Sequence, residues 1–132
     1  MNYPEDLRYT EDHEWIRLHE DGKTATIGIT DFAQGELGEI VYVEVETVGE
    51  TVGANQVFGT IEAVKTTSEL FMPLTSKVLE VNPKITSPGE DHPELVNTHP
   101  YGDGWIVKVE LSDPTQMNSL MTHSAYKTHI GV

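Results

Sequence analysis

Across residues 40–46 the chain alternates: Val41, Val43 and Val45 take the odd positions and Tyr42, Glu44 and Glu46 the even ones. A period of two suits a strand with one face on a core and the other in water, and no helix satisfies it. Short β-rich runs recur at 15–19, 24–29, 57–64, 77–81 and 105–111, the last with Trp105, Val107, Val109 and Leu111 on one face. Turn residues separate the runs. Glu20-Asp21-Gly22-Lys23 reads as a hairpin, and 47–55 carries Gly49 and Gly53. Many short strands with frequent turns predict a sandwich or barrel.

Helical signals are short and peripheral. Asp31, with Gln34 three residues on, is an N-cap pair ahead of Phe32, Ala33 and Leu37, and Gly38 supplies the stop. Asp113-Pro114 reads as a second start, after which Met117, Leu120 and Met121 form an i, i+3, i+4 stripe that predicts a C-terminal helix. Methionine there is read as packing, since its flexible thioether fills irregular gaps. Residues 83–104 hold Pro83, Pro88, Pro93 and Pro100 with Gly89, Gly102 and Gly104, which predicts a long surface loop with one helical turn at 94–97. With 37% hydrophobic residues in 132 and no linker or low-complexity tract, residues 1–132 are expected to form a single domain around one core.

Charge narrows the partners. Asp and Glu number 22 against 8 Lys and Arg, a formal net charge of −14. Such a surface repels a phosphate backbone and an anionic membrane, so neither nucleic acid nor membrane is an expected partner. Proteins with basic patches are, because opposite fields accelerate encounter; plain solubility is the other use of the charge. Cysteine is absent, which removes disulfides, thiolate nucleophiles and Cys-ligated metal. The opening Met1-Asn2-Tyr3-Pro4-Glu5-Asp6-Leu7-Arg8 has neither an apolar run nor an Arg-rich amphipathic pattern, and no later run is long enough to span a bilayer. A soluble, cytoplasmic protein is expected. His13, His19, His92, His99, His123 and His129 include no i, i+4 pair for zinc, so no metal site is expected. Without a G-x-S-x-G elbow, a phosphate-cradling glycine loop or a distinctive carboxylate pair, catalysis by the chain's own side chains is not expected either.

One cation is isolated. Between Lys23 and Lys77 the only Lys or Arg is Lys65, and eight acids share the interval. The residues before it alternate as a strand, and apolar character resumes at Leu70, Phe71 and Met72 ahead of Pro73, so Lys65 falls near the turn of a hairpin. There the amine is exposed, its backbone is held from both sides, and a group on its long stem sweeps through solvent, as a carrier between separate active sites requires. Spacing alone also fits an ordinary surface lysine.

Gly59-Thr60-Ile61-Glu62-Ala63-Val64-Lys65-Thr66-Thr67-Ser68-Glu69, with Met72-Pro73-Leu74, resembles the lipoyl-lysine motif of the glycine cleavage system H proteins. The similarity continues in order on both flanks, through Tyr9-Thr10-Glu11-Asp12-His13-Glu14-Trp15, Thr26-Ile27-Gly28-Ile29-Thr30-Asp31, Ala33-Gln34, Leu37-Gly38-Glu39-Ile40-Val41, Pro93-x-Leu95-x-Asn97, Pro100-Tyr101 and Gly104-Trp105. This resemblance implies a mostly β fold: two packed antiparallel sheets related by approximate two-fold symmetry, a lipoyl/biotinyl-type barrel-sandwich hybrid with short peripheral helices, including a C-terminal one. It implies lipoate covalently attached as lipoyl-lysine at Lys65, and a carrier rather than an enzyme. The group would take the aminomethyl unit of glycine from a pyridoxal-phosphate glycine decarboxylase to a tetrahydrofolate-dependent aminomethyltransferase, then be reoxidised by an FAD dihydrolipoyl dehydrogenase. A lipoate ligase or a lipoyl/octanoyl transferase would load it, and a monomer suits a chain that visits several enzymes. By the same resemblance Glu14, Ser68 and Glu69 are candidates for holding the loaded arm, with solvated surface or turn residues as the alternative. Glu62 resembles a position read by lipoylating enzymes, with an ordinary strand-edge carboxylate as the alternative. The lack of cysteine also leaves no protein thiol to attack a dithiolane.

Ser76 departs from the family pattern, standing where Gly is usual in the turn opposite the lipoyl hairpin. Serine resists positive φ, so recognition by the lipoylating enzyme is the function affected. Ala63 replaces a common Ser, and the loop 83–91 is longer than usual. Four rival readings remain. A biotin carrier places Met on both sides of its lysine, where Val64 and Thr66 stand here. The lipoyl domain of a 2-oxoacid dehydrogenase lacks the His13-Glu14-Trp15 opening and the Asp113-Pro114 helix. An H-like lipoyl relay or scaffold in another pathway shares every motif, and a hydrolase or metal enzyme would turn over a substrate unaided.

Overall fold

The computed structural model describes residues 3–86 and 89–132. The chain runs β1 (Arg8–Tyr9), β2 (Glu14–Leu18), β3 (Thr24–Ile29), α1 (Asp31–Leu37), β4 (Ile40–Glu44), β5 (Thr51–Val52), β6 (Val57–Ala63), β7 (Thr67–Phe71), β8 (Ser76–Val81), α2 (Leu95–Thr98), β9 (Val107–Leu111), a 3-10 helix at Pro114–Ser119 and α3 (His123–Ile130). Six strands pair in the order β1-β2-β3-β9-β8-β5 and three in the order β4-β6-β7, all antiparallel. Inward residues of both sheets, among them Ile27, Val43, Phe58, Ile61, Leu70, Val78 and Val109, form one core. Burial of each such side chain contributes about 1.5–3 kcal/mol, which is what holds two small sheets face to face. The expected mostly β architecture of two antiparallel sheets with short helices is the one present.

Local departures from the expected pattern have identifiable causes. In β4 the register slips between Ile40, opposite Ala63, and Tyr42, opposite Glu62. This bulge turns Val41 outward, 42% exposed, and leaves Ile40 and Val43 as the buried pair in place of the predicted Val41, Val43 and Val45 face. Along β9, Val107, Val109 and Leu111 are buried as predicted, whereas Trp105 precedes the strand and packs with the second cluster of Leu7, Tyr9, Trp15 and Tyr126. The cap of α1 is Thr30, whose hydroxyl accepts from the Ala33 N–H, not Asp31. Asp31 is the first helical residue and accepts from Gln34 Nε2 at 2.8 Å. β1 and β5, two residues each, are too short to show a period.

The Asp113-Pro114 start opens a 3-10 helix rather than the C-terminal α-helix. Met121 then exchanges both backbone hydrogen bonds with Tyr9 (2.9 and 3.0 Å), which no residue inside a helix can do, and α3 begins afresh with Thr122 as its cap. Residues 83–104 are also more than a surface loop. Ile85 and Val96 enter the core, Pro93 and Pro100 are buried, and Asn82 closes the segment by donating from Nδ2 to the carbonyls of Asp103 and Trp105. Pro88 lies outside the described residues. Trp15 is fully buried, its indole N–H donating to Pro100 O at 3.0 Å, and its ring fills the space opposite Gly28, where a Cβ would come within 2.6 Å of it.

Candidate functional site

Lys65 stands at the turn joining β6 and β7. Pairing of Thr60 with Glu69, Ile61 with Ser68 and Glu62 with Thr67 brings the strands to the turn, where the Ala63 N–H donates to Thr66 O at 2.8 Å. Neither Val64 nor Lys65 takes a positive φ, so the turn needs no glycine. A second tether comes from outside the hairpin: the Val64 N–H donates to Glu39 O at 3.0 Å. Glu39 is held in turn by Asn97, whose Oδ1 accepts from the Ile40 N–H at 2.9 Å while its Nδ2 donates to Gly38 O and Gln34 Oε1. Ile61, Ala63 and Leu70 are buried beneath. The result is an exposed lysine on an anchored backbone. Among the described residues its ammonium makes no hydrogen bond or ion pair, which leaves Nζ free for an acyl group. An exposed primary amine with no cysteine in the chain to compete for a disulfide fits an amide-linked lipoyl group.

Three of the four surrounding candidates share the hairpin. Glu62 and Glu69 lie exposed on the outer face of the three-stranded sheet, in rows with Tyr42 and Thr67 and with Glu44 and Thr60 respectively. Ser68 is opposite buried Ile61 on the other face and is half-buried. Glu14 is elsewhere. It is 2% exposed, and its carboxyl caps the free edge of β7: Oε2 accepts from the Phe71 N–H at 3.1 Å and Oε1 from the Thr10 hydroxyl at 2.8 Å. At about 3.3 Å per residue, some 13 Å of strand separates Thr67 from Phe71, so Glu14 and Lys65 occupy opposite ends of that edge. Burial pushes the Glu14 pKa up to about 8 despite both hydrogen bonds, so the carboxyl is mostly neutral near pH 7.

Ser76 does not need the conformation that glycine would supply. It opens β8 fully buried, without a positive φ, and its hydroxyl donates to Leu74 O at 2.7 Å. The sequence analysis named Glu39 and Asn97 only as landmarks of the resemblance and gave neither a role at the site. Glu39 acts through a backbone carbonyl and so leaves no trace in residue type, and nothing local to Asn97 shows which distant backbone groups its amide meets.

Electrostatic character divides between the sheets. Strands β4, β6 and β7 carry Glu44, Glu62 and Glu69 and no Lys or Arg, while Arg8, Arg17, Lys77 and Lys108 lie on the six-stranded sheet. Among the described residues no group of three or more His, Cys, Asp or Glu is placed to hold a metal ion, and no helix is long and apolar enough to cross a membrane.

Two antiparallel sheets around a shared core, with a lysine presented on a tight hairpin, define a barrel-sandwich hybrid of the lipoyl/biotinyl type. A family model described as glycine cleavage H-protein matches residues 7–131. The chain is 50% identical over 131 residues to the glycine cleavage system H protein of Chlorobium limicola and 51% identical over 131 residues to that of Chlorobaculum tepidum, covering 99% of both chains in each case. The crystal structure of a glycine cleavage system H protein from Mycobacterium marinum matches with a TM-score of 0.81 at 34% identity, covering 98% of this chain and 99% of that one. The chain therefore belongs to the glycine cleavage H-protein family, whose members are lipoyl carriers.

Proposed function

We propose that residues 1–132 act as a single cytoplasmic carrier domain of the glycine cleavage system, with lipoate amide-linked to Lys65 Nζ. The observation that carries this reading is an exposed lysine on a doubly tethered hairpin, without a hydrogen bond or ion pair among the described residues, in a chain that matches the family over residues 7–131. The lipoyl group supplies an exchangeable disulfide that can take up the aminomethyl unit of glycine and, as a dithiol, be reoxidised. The chain's own residues present and protect that group and contribute no catalytic side chain. Ala63, Thr66 and Glu39 fix the pivot. Ser68 and Glu69 flank the path along β7, and Glu14, a buried carboxyl at its far end, can hold a cationic amine by giving up its proton. Glu62 lies beside the turn within reach of a lipoate ligase or a lipoyl/octanoyl transferase. The enzymes served are glycine decarboxylase with pyridoxal phosphate, a tetrahydrofolate-dependent aminomethyltransferase and the FAD dihydrolipoyl dehydrogenase.

Intact-mass spectrometry with peptide mapping tests the assignment, using protein expressed with lipoate and a lipoate ligase. A lipoyl increment on Lys65 is expected. Lys65→Arg should lose the increment and all glycine cleavage reconstituted with the three enzymes, while thermal unfolding stays within about 0.5 kcal/mol of the parent, as for other exposed positions. Cleavage that survives the substitution refutes the assignment. Full lipoylation without glycine cleavage would move the chain to a relay role.

A further inference from the structure

The lead-in to β4 is held by a side chain from outside the sheet. Because the register slips between Ile40, opposite Ala63, and Tyr42, opposite Glu62, the bulge parts the Ile40 pairing and the Val64 N–H to Glu39 O bond above it from the regular ladder below. Residues 38–40 therefore gain little order from the strand they introduce. What holds them is Asn97, on the four-residue helix α2. Its Nδ2 donates to Gly38 O at 2.8 Å and its Oδ1 accepts from the Ile40 N–H at 2.9 Å. One amide thus grips the backbone on both sides of Glu39, whose carbonyl takes the Val64 N–H at 3.0 Å.

The grip needs this side chain. Among side chains of this length only a carboxamide offers an acceptor and two donors, and here the oxygen and both N–H groups are engaged, since the second Nδ2 hydrogen goes to Gln34 Oε1 at 3.0 Å. Gln34 is itself turned by donating from Nε2 to Asp31 Oδ1 at 2.8 Å, which leaves its oxygen for Asn97. Gly38 meets the clamp at a φ of 81°, a backbone conformation that favours glycine. Inside the hairpin the Ala63 N–H to Thr66 O bond closes the turn but moves with it. On the β4 side, the link from the turn to the body of the molecule runs through Val64, Glu39 and Asn97.

Resting on the carrier reading above, we infer that Asn97 is a positioning residue for turnover of the carrier, acting through Glu39 and Val64 to set where the arm on Lys65 leaves the protein. Its loss leaves Lys65 exposed and open to acylation but lets the turn swing on the ends of β6 and β7. A docked enzyme then receives the arm from a spread of origins, which lowers kcat while the contacts that set KM stay in place.

The test compares the parent with Asn97→Ala, with Val64→Pro, which removes the tethered N–H at a position without positive φ, and with the double variant. Each is loaded by lipoate ligase, verified by intact mass and titrated as the carrier substrate of glycine decarboxylase, while amide exchange is followed by NMR on unloaded protein. Asn97→Ala should lower kcat about fivefold with KM within about twofold, and Val64→Pro should lower it equally. The double variant should fall no further than Val64→Pro alone, because both act on one link. In Asn97→Ala the Val64 amide should exchange about tenfold faster while those of β3 and β9 keep parent rates, the mark of a local opening and not of general instability. Gln34→Ala, which leaves Asn97 in place but removes the acceptor that orients its amide, should show both effects in smaller measure. A parent-like kcat for loaded Asn97→Ala overturns the assignment, as does a double variant whose loss is the product of the two single losses, or exchange that quickens evenly through both sheets. A parent that takes no lipoyl increment overturns the carrier reading instead, and exchange at Val64, which needs no lipoate, tells the two failures apart.

Discussion

Glu14 is a carboxyl that the fold keeps largely protonated near pH 7, and its stability ledger therefore runs opposite to that of a salt-bridged acid. Its ordinary pKa of 4.5 applies to the unfolded chain, and burial raises the folded value to about 8. Between those limits the folded state binds the extra proton, so this group's contribution falls as pH rises through the window and levels off above about 8. Glu14→Gln preserves an acceptor for the Phe71 N–H and cannot ionise. The stability of the variant relative to the parent should accordingly climb across that window, by at most about 1.4 kcal/mol per pH unit. Urea unfolding of both proteins at a series of pH values measures it, and a difference flat with pH would mean that the carboxyl ionises freely in the folded chain. His13 contributes with the other sign. Burial first and His129 second lower its pKa, so its contribution is lost as pH falls through the ordinary histidine range.

At the scale of elements, α3 is docked chiefly by one residue, with Ile130 packing beside it. Tyr126, its only buried side chain, stacks on Tyr9 with ring centroids 4.7 Å apart, and its hydroxyl is shared between His13 Nδ1 at 2.9 Å and Thr30 Oγ1 at 2.8 Å. Tyr126→Phe should cost about 1–2 kcal/mol, because it strips a partner from two polar groups while keeping the stack. Tyr126→Ala should cost about 3–5 kcal/mol. Equilibrium denaturation checks both, and a Phe variant as stable as the parent would leave the aromatic stack alone as the anchor. The same element explains why the C-terminus was only half legible. The Met117, Leu120 and Met121 stripe resembles an amphipathic helix, but Met121 is claimed by Tyr9, a partner 112 residues away. Strands with clean alternation were readable because each residue reports its own face. The β4 bulge was not, since one inserted residue changes the face without changing composition. At the site, the isolation of Lys65 between acids singled it out without separating it from an ordinary surface lysine, and only the resemblance of its motif made it the candidate. The burial of Glu14 depends on how the edge of β7 meets the start of β2, which no local pattern encodes.

For the whole molecule, the uneven division of charge matters more than its sum. With −14 overall and four cations on the strands of the six-stranded sheet, the three-stranded sheet is the acidic pole that a basic partner meets first. Raising ionic strength should lower kcat/KM for the loaded carrier with each partner enzyme while leaving its unfolding midpoint little changed, since salt at about 0.15 M screens exposed charges beyond roughly 8 Å. A carrier whose kinetics ignore salt would assign the acid to solubility alone. The tie between Val64 and Glu39 has a further consequence. On the carrier reading it would fix the pivot of the group on Lys65, so that the distal end searches a volume bounded by the arm's own length and not enlarged by motion of the backbone. Confining the same number of visits to a smaller volume raises the effective concentration of the cargo at any docked active site. On that reading, loss of this one backbone contact would leave the cargo attached and dilute it.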